Sequence, residues 1–188
     1  MACAVTALPD GTEVLVCGGT GPGWTFWAIL LSAVVALFSV AASRVATKRR
    51  AAIDLIVRSE SGAFQESRAV FKDVLANGVL LNLLNPRSAE DFSRRRSVQE
   101  LLNHYELVAI SIRENIVDEN IMKLYQRRSV IDYWDDAKEI VTEARRLTEN
   151  DNIFHNFEWL AERWRLKPNV DSGPTYVAGK VFSELFGF

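Results

Sequence analysis

The sequence predicts an all-α protein in which a single N-terminal transmembrane helix is followed by a cytosolic helical bundle. Three observations lead to this prediction. Residues 24–43 form an uncharged apolar run, a basic cluster follows it, and the rest of the chain carries amphipathic helical stripes joined by short links. The apolar faces of such helices are buried when the helices pack against one another, and this packing forms a helical bundle. A chain of 188 residues accommodates one domain and an anchor.

The apolar run reads WTFWAILLSAVVALFSVAAS and contains no charged residue. At a rise of about 1.5 Å per residue, a helix of this length spans about 30 Å, the thickness of a bilayer core. Trp24 and Trp27 lie at one end, where indole rings favour the membrane interface. Arg44 and the basic residues 48–50 lie at the other end. The positive-inside rule therefore predicts a single-pass protein of the cell (inner) membrane, with its N-terminus outside and its C-terminal domain in the cytoplasm.

Two other structures are considered for the same run. The sequence Val40-Ala41-Ala42 resembles a signal-peptide cleavage site. However, no positive region precedes the run, the run is longer than the apolar region of a usual signal sequence, and its basic flank follows it. The second alternative is a buried core helix, but an apolar stretch of this length without a polar face is rare in so small a domain.

The segment before the membrane run contains both cysteines of the chain, Cys3 and Cys17. Two β-prone runs flank Pro9-Asp10-Gly11, a turn signal, and the register of such a hairpin pairs Leu8 with Thr12 and Cys3 with Cys17. An oxidising exterior would permit a disulfide between them. The alternative is an unstructured tail with two free thiols, since an isolated hairpin is marginal in water.

Five segments are predicted along the chain. They are a short extracytoplasmic segment (1–23), the transmembrane helix (24–43), a basic juxtamembrane helix (44–62), a helical domain (63–168) and a C-terminal amphipathic tail (169–188). The tail is expected to dock on its own domain, and the alternatives are a partner protein or a membrane surface.

Helix boundaries in the domain follow from capping and breaking signals. The first helix is expected to continue past the membrane through residues 51–58, and a second helix is expected over 63–76, ending at Asn77-Gly78. Ser97 with Glu100 indicates a capping box for a helix over 97–116. Asp118 is the expected N-cap of a short helix that ends at Arg128. Two further stripes predict helices over 129–148 and 152–165, with the apolar run 79–84 left unassigned.

One stretch of the domain resembles a known bacterial and phage family. The residues that carry the resemblance are Leu102-Asn103, Tyr105-Glu106, Ala109, the turn at 112–116 with Asp118-Glu119, Trp134 and the segment HNFEWLAERW at 155–164. The family is catalogued as domain of unknown function 4760. The resemblance implies a short N-terminal membrane helix, a basic junction and a helical domain, and it implies no activity.

Histidine and carboxylate pairs are the candidates for chemistry in the domain. His104 lies four residues after Glu100, and His155 shares a helix face with Glu158 and Glu162. Helical bundles build di-iron sites from Glu residues placed three before each His, a spacing that neither histidine has. Surface or interface histidines are therefore expected, with no catalytic, cofactor-binding or metal-ligating residues.

Two charged features remain. Glu106 lies beside its helix stripe, and Arg113 is its expected cationic partner. The run 94–96 is a triple arginine that is expected to be a solvated helix start balanced by Glu90 and Asp91, and the alternative is contact with anionic lipid headgroups. Residues 51–188 carry more acidic than basic side chains, so no nucleic-acid partner is expected.

These patterns favour a membrane-anchored helical interaction or regulatory module, such as a phage or prophage accessory protein, and not an enzyme. No cofactor is expected. The expected partners are the lipid bilayer, through 24–43, and an unidentified protein, and the pattern leaves a homo-oligomer open. The alternative is a membrane-anchored enzyme or metalloprotein that uses helix-borne Glu and His side chains.

Overall fold

Six α-helices and a small hairpin make up the chain in the computed structural model, which describes residues 3–7, 13–17, 23–170 and 173–186. The elements are β1 (Cys3–Ala7), β2 (Glu13–Cys17), α1 (Trp24–Ser59), α2 (Gly62–Ala76), a 3-10 helix (Leu80–Leu84), α3 (Ala89–Arg113), α4 (Glu119–Thr148), α5 (His155–Leu166) and α6 (Pro174–Phe186). The predicted fold, a long apolar N-terminal helix followed by a helical bundle, is confirmed.

The hairpin before the long helix was predicted from two β-prone runs, and its strands are confirmed. β1 and β2 are antiparallel, and their register places Cys3 opposite Cys17. The predicted pairing of Leu8 with Thr12 lies outside the described residues. The disulfide stays a prediction.

The apolar run and most of the predicted juxtamembrane segment (44–62) form one unbroken helix, α1, which ends at Ser59. Its 36 residues contain neither glycine nor proline, so nothing interrupts a rod of about 54 Å. Every residue from 24 to 40 is exposed. Burial begins at Ala41 and Val45 and continues with Ala52 and Ser59 along one helix face. The lower half of α1 therefore belongs to the bundle, whereas the upper half projects from it.

Of two helices predicted in the middle of the chain, one is confirmed and the other begins at a different residue. α2 matches its prediction: Ser61 caps its start, and Gly78 follows its end with a φ of 67°. The start of α3 at Ser97 is wrong. α3 begins eight residues earlier, where the Ser88 hydroxyl accepts from the Asp91 N–H and the Asp91 carboxylate accepts from the Ser88 N–H. Ser97 lies inside the helix because this earlier capping box precedes it.

Two predictions in the second half of the domain also need correction. Asp118 is the N-cap of α4, as predicted, but the helix does not end at Arg128. It continues to Thr148, since no proline or glycine interrupts it. α5 begins at His155 and not near Asn152, because Phe154 takes a left-handed conformation with a φ of 52°.

The core of the bundle is an aromatic cluster between α2, α3, α4 and α5. Tyr105 stacks on Phe157 with ring centroids 5.1 Å apart, and Trp134 meets Phe157 edge to face at 5.3 Å. Tyr133 connects this group to Phe71 of α2, with centroids 5.6 Å apart. Aromatic pairs in these geometries add to the stabilisation from burial alone. The cluster therefore fixes the positions of α3, α4 and α5 around α2.

Candidate functional site

The most distinctive surface of the molecule is the junction between the exposed half of α1 and the bundle. α6 packs along α1 at this level, so the predicted docking of the tail on its own chain is observed. Lys48 of α1 forms an ion pair with Glu184 of α6. Ala41 and Val45, on the same face of α1, are each only 3% exposed. One face of α1 is therefore buried at the junction, where the apolar run ends.

Asp118 joins three elements at this junction. Its carboxylate accepts hydrogen bonds from the N–H groups of Asn120 (3.0 Å) and Ile121 (3.3 Å) and so caps α4. It also pairs with Lys180 of α6 at 3.2 Å, while its own N–H donates to the Lys48 carbonyl of α1. Burial alone would lower the pKa of Lys180, but the bond to Tyr176 and the charge of Asp118 outweigh it and raise the pKa. Asp118 therefore holds α1, α4 and α6 together through charge and backbone contacts.

One basic residue of the cluster at the junction is paired within the protein, and three are exposed. Lys48 is occupied by Glu184 inside the protein. Arg44, Arg49 and Arg50 are exposed next to the end of the apolar run. Guanidinium groups in this position can contact anionic headgroups, each contributing about 1 kcal/mol.

The two histidines have different environments. His155 is exposed, as predicted for a surface histidine. His104 is half-buried at the interface of α2 and α3: its ring lies 4.3 Å from the Phe64 ring, and its Nε2 is buried without a hydrogen-bond partner among the described residues. Burial and the positive charge of Arg68 lower the pKa of His104 to about 4. His104 is therefore uncharged at neutral pH.

Two of the three carboxylates near the histidines are bound by other side chains, and the third, Glu162, is exposed. Glu100 accepts from Ser67 at 3.3 Å and pairs with Arg96. Glu158 pairs with Arg145 at 2.9 Å. Within the described residues, no group of three or more His, Cys, Asp or Glu side chains is arranged to hold a metal ion.

Glu106 has a partner other than the one predicted. Its carboxylate does not pair with Arg113 but accepts from the N–H groups of Asn156 (3.3 Å) and Phe157 (2.7 Å) and from the Asn156 side chain (2.7 Å). Arg113 instead donates to the Asn156 side chain at 2.8 Å. Glu106 therefore caps the N-terminus of α5 from a different helix, which explains how α5 begins without a cap of its own.

Glu106→Ala is expected to destabilise the protein by about 2 kcal/mol, because it leaves N–H donors at the start of α5 without an acceptor. Urea unfolding of the purified protein in detergent, followed by circular dichroism, measures this loss. Glu114→Ala is the control, since Glu114 is exposed at the end of the same helix. Equal unfolding midpoints for the two variants would contradict the capping role.

The triple arginine at the start of α3 is largely held by protein groups. Arg94 pairs with Glu90 at 2.8 Å and with Asp73 at 3.7 Å, and Arg96 pairs with Glu100. Arg95 donates to the Leu84 carbonyl at 3.5 Å. The predicted balance by Glu90 is confirmed, whereas Asp91 acts as a helix cap.

A polar cavity lies at the end of α1, and no sequence pattern predicts it. The polar cavity has a volume of about 210 Å³, and four helices and the residue after α1 contribute to it. It is lined by Ser59, Glu60, Phe64, Arg68, Tyr105, Tyr125, Gln126 and Ser129. Each of these residues looks ordinary in its own helix, and only the packing of α1, α2, α3 and α4 brings them together.

Comparison with known proteins gives one result. The sequence model of the family described as Domain of unknown function (DUF4760) matches residues 26–164. No curated protein and no solved structure shows a significant match to this chain.

Proposed function

This chain belongs to the DUF4760 family, and we propose that it is a single-pass protein of the inner membrane whose cytoplasmic helical bundle binds a protein partner. The proposed membrane location rests on the exposure of the apolar half of α1. All residues from 24 to 40 of α1 are exposed, although nearly all of them are apolar. Leaving an apolar helix of this length in water is unfavourable, and a bilayer removes that cost.

The junction supports a retained anchor over a cleaved signal sequence. Cleavage after Ala42 would remove Ala41, whose side chain is buried in the folded protein. Cleavage would also create a charged amino terminus at Ser43, two residues before the buried Val45. The exposed arginines of the basic cluster favour a cytoplasmic position for this end of the run.

We infer that the bundle has a binding role in a regulatory setting, such as that of a phage or prophage accessory protein. An anchor confines the domain to the membrane surface and raises its local concentration near membrane-bound partners. Affinity purification from native membranes tests this role. A specific protein that is recovered with the full-length chain, and lost when the bundle is replaced by an unrelated helical domain, is the expected result. Recovery of the same proteins by both chains would contradict it.

Two lysines within the apolar run should prevent stable membrane insertion. Leu31→Lys with Val35→Lys places two charges one turn apart at the centre of the run, at a cost of about 2.5–3.5 kcal/mol each. The matched control is Ile53→Lys with Val57→Lys, which has the same spacing on the same helix at exposed positions below the run. Alkaline extraction of membranes should release the first variant and retain the control. Retention of both would contradict anchoring by this segment.

The orientation has a separate test. Tags at the two ends and protease added to intact cells should remove the N-terminal tag and leave the C-terminal tag. Digestion of the C-terminal tag in sealed cells would contradict the proposed orientation. Loss of the N-terminal tag from the mature protein without added protease would indicate a cleaved signal sequence.

A further inference from the structure

The polar cavity contains a buried polar atom that has no hydrogen-bond partner among the described residues. Gln126 is 4% exposed and donates from Nε2 to the Ser59 hydroxyl at 3.1 Å, but its carbonyl Oε1 has no hydrogen-bond partner among the described residues. Tyr105 is 2% exposed as a whole residue and lines the same cavity, and no hydrogen bond among the described residues involves its hydroxyl. Buried polar groups are nearly always hydrogen-bonded, so the unpartnered Gln126 carbonyl at this cavity points to a molecule that binds there.

The cavity also contains a cation with free donors. Arg68 donates from Nε to the Tyr133 hydroxyl at 3.1 Å, and its guanidinium lies over the rings of Phe64 and Tyr133. No salt bridge joins Arg68 to a carboxylate of the described residues. The two Nη atoms are therefore free to bind a carboxylate in the two-pronged geometry that a guanidinium favours.

The lining carries a negative group as well. Glu60 accepts from the Tyr125 hydroxyl and from Gln65 Nε2, and a carboxylate has further lone pairs to offer. Together with Gln126 Oε1, it forms an acceptor region that favours an ammonium group. A phosphate would be repelled by Glu60, and a simple amine would leave Arg68 without a partner. A ligand that satisfies both regions carries one anionic and one cationic group.

We propose that the polar cavity binds a small α-amino acid in its zwitterionic form. The carboxylate binds Arg68 and the Tyr105 hydroxyl, and the ammonium group binds Gln126 Oε1 and Glu60. The volume of about 210 Å³ is large enough to admit several waters or a small amino acid. The cavity lies at the end of α1, about 22 Å along the helix from Arg44, and so lies in the aqueous domain.

Isothermal titration calorimetry on the full-length protein in detergent tests the ligand class. The probes are L-alanine, L-serine, L-threonine, L-valine and L-leucine, and the tightest binder is compared with its 2-hydroxy acid and its decarboxylated amine. Saturable binding by an amino acid is expected, with each analogue weaker by about tenfold or more, since each lacks one charged contact. Binding by none of the probes means that the cavity holds only water, and equal binding by an analogue rejects the zwitterion; either result overturns the proposal.

Three variants separate a binding role from a structural one. Tyr105→Phe removes a hydroxyl that has no hydrogen-bond partner among the described residues, so the melting temperature without ligand should not fall. The affinity for the amino acid should fall by about tenfold. Arg68→Gln should abolish saturable binding. Arg128→Gln is the control, because its side chain is 94% exposed on the helix that carries Gln126, and it should bind normally. An unchanged affinity in Tyr105→Phe would overturn the assignment.

Discussion

Trp164→Ala is expected to destabilise the protein by about 3–5 kcal/mol, a large share of a total stability of about 5–15 kcal/mol. Trp164 is completely buried, and its indole N–H donates to Glu119 at 3.1 Å. The substitution leaves a large cavity and removes one of the donors that bind Glu119. Arg163 still holds that carboxylate through two bonds of 2.9 Å, so the expected loss comes mainly from packing.

Thermal melts followed by circular dichroism in detergent measure this loss. His155→Ala is the control on the same helix and should cost less than about 1 kcal/mol, because His155 is exposed. Metal content is measured alongside. A His155→Ala protein that keeps its fold but loses a bound metal would contradict the proposed binding module and favour a metalloprotein.

Asp118→Ala is the second substitution with a large expected effect, about 4 kcal/mol. It removes the N-cap of α4, worth about 0.5–2 kcal/mol, and leaves Lys180 without its carboxylate partner. Breaking a buried ion pair costs about 3–5 kcal/mol, and the lower end applies because a quarter of the Lys180 side chain is exposed. The tail helix α6 should therefore loosen from α1 together with the loss of stability.

Asp118→Ser separates the two contributions, because serine caps a helix about as well as aspartate but carries no charge. It should recover about 1 kcal/mol of the stability lost in Asp118→Ala. Limited proteolysis should cut both variants near α6 faster than it cuts the wild type. Normal protease resistance in both variants would show that Lys180 and Asp118 do not hold α6 in place.

Features that depend on a short stretch of chain were predicted correctly from the sequence. The apolar run, its basic flank, the hairpin register and the cap at Asp118 are local patterns, as are most of the apolar stripes. Their physical basis is the period of the helix or strand and the hydrogen bonds of a few neighbouring residues. The error at Ser97 is of the same local kind, since two serines compete as caps and the earlier one prevails.

Other features were decided only by the tertiary structure. Glu106 caps a helix that begins 49 residues later in the chain, and Lys180 pairs with Asp118 of another helix. The polar cavity likewise combines residues from several helices, none of which forms a motif along the chain. An apolar stripe shows which face of a helix is buried, but it does not show which other helix packs against that face. The packing partner depends on how the side chains of distant segments fit together. The sequence alone therefore determined the apolar run and most of the helical stripes, and packing determined the junction and the cavity.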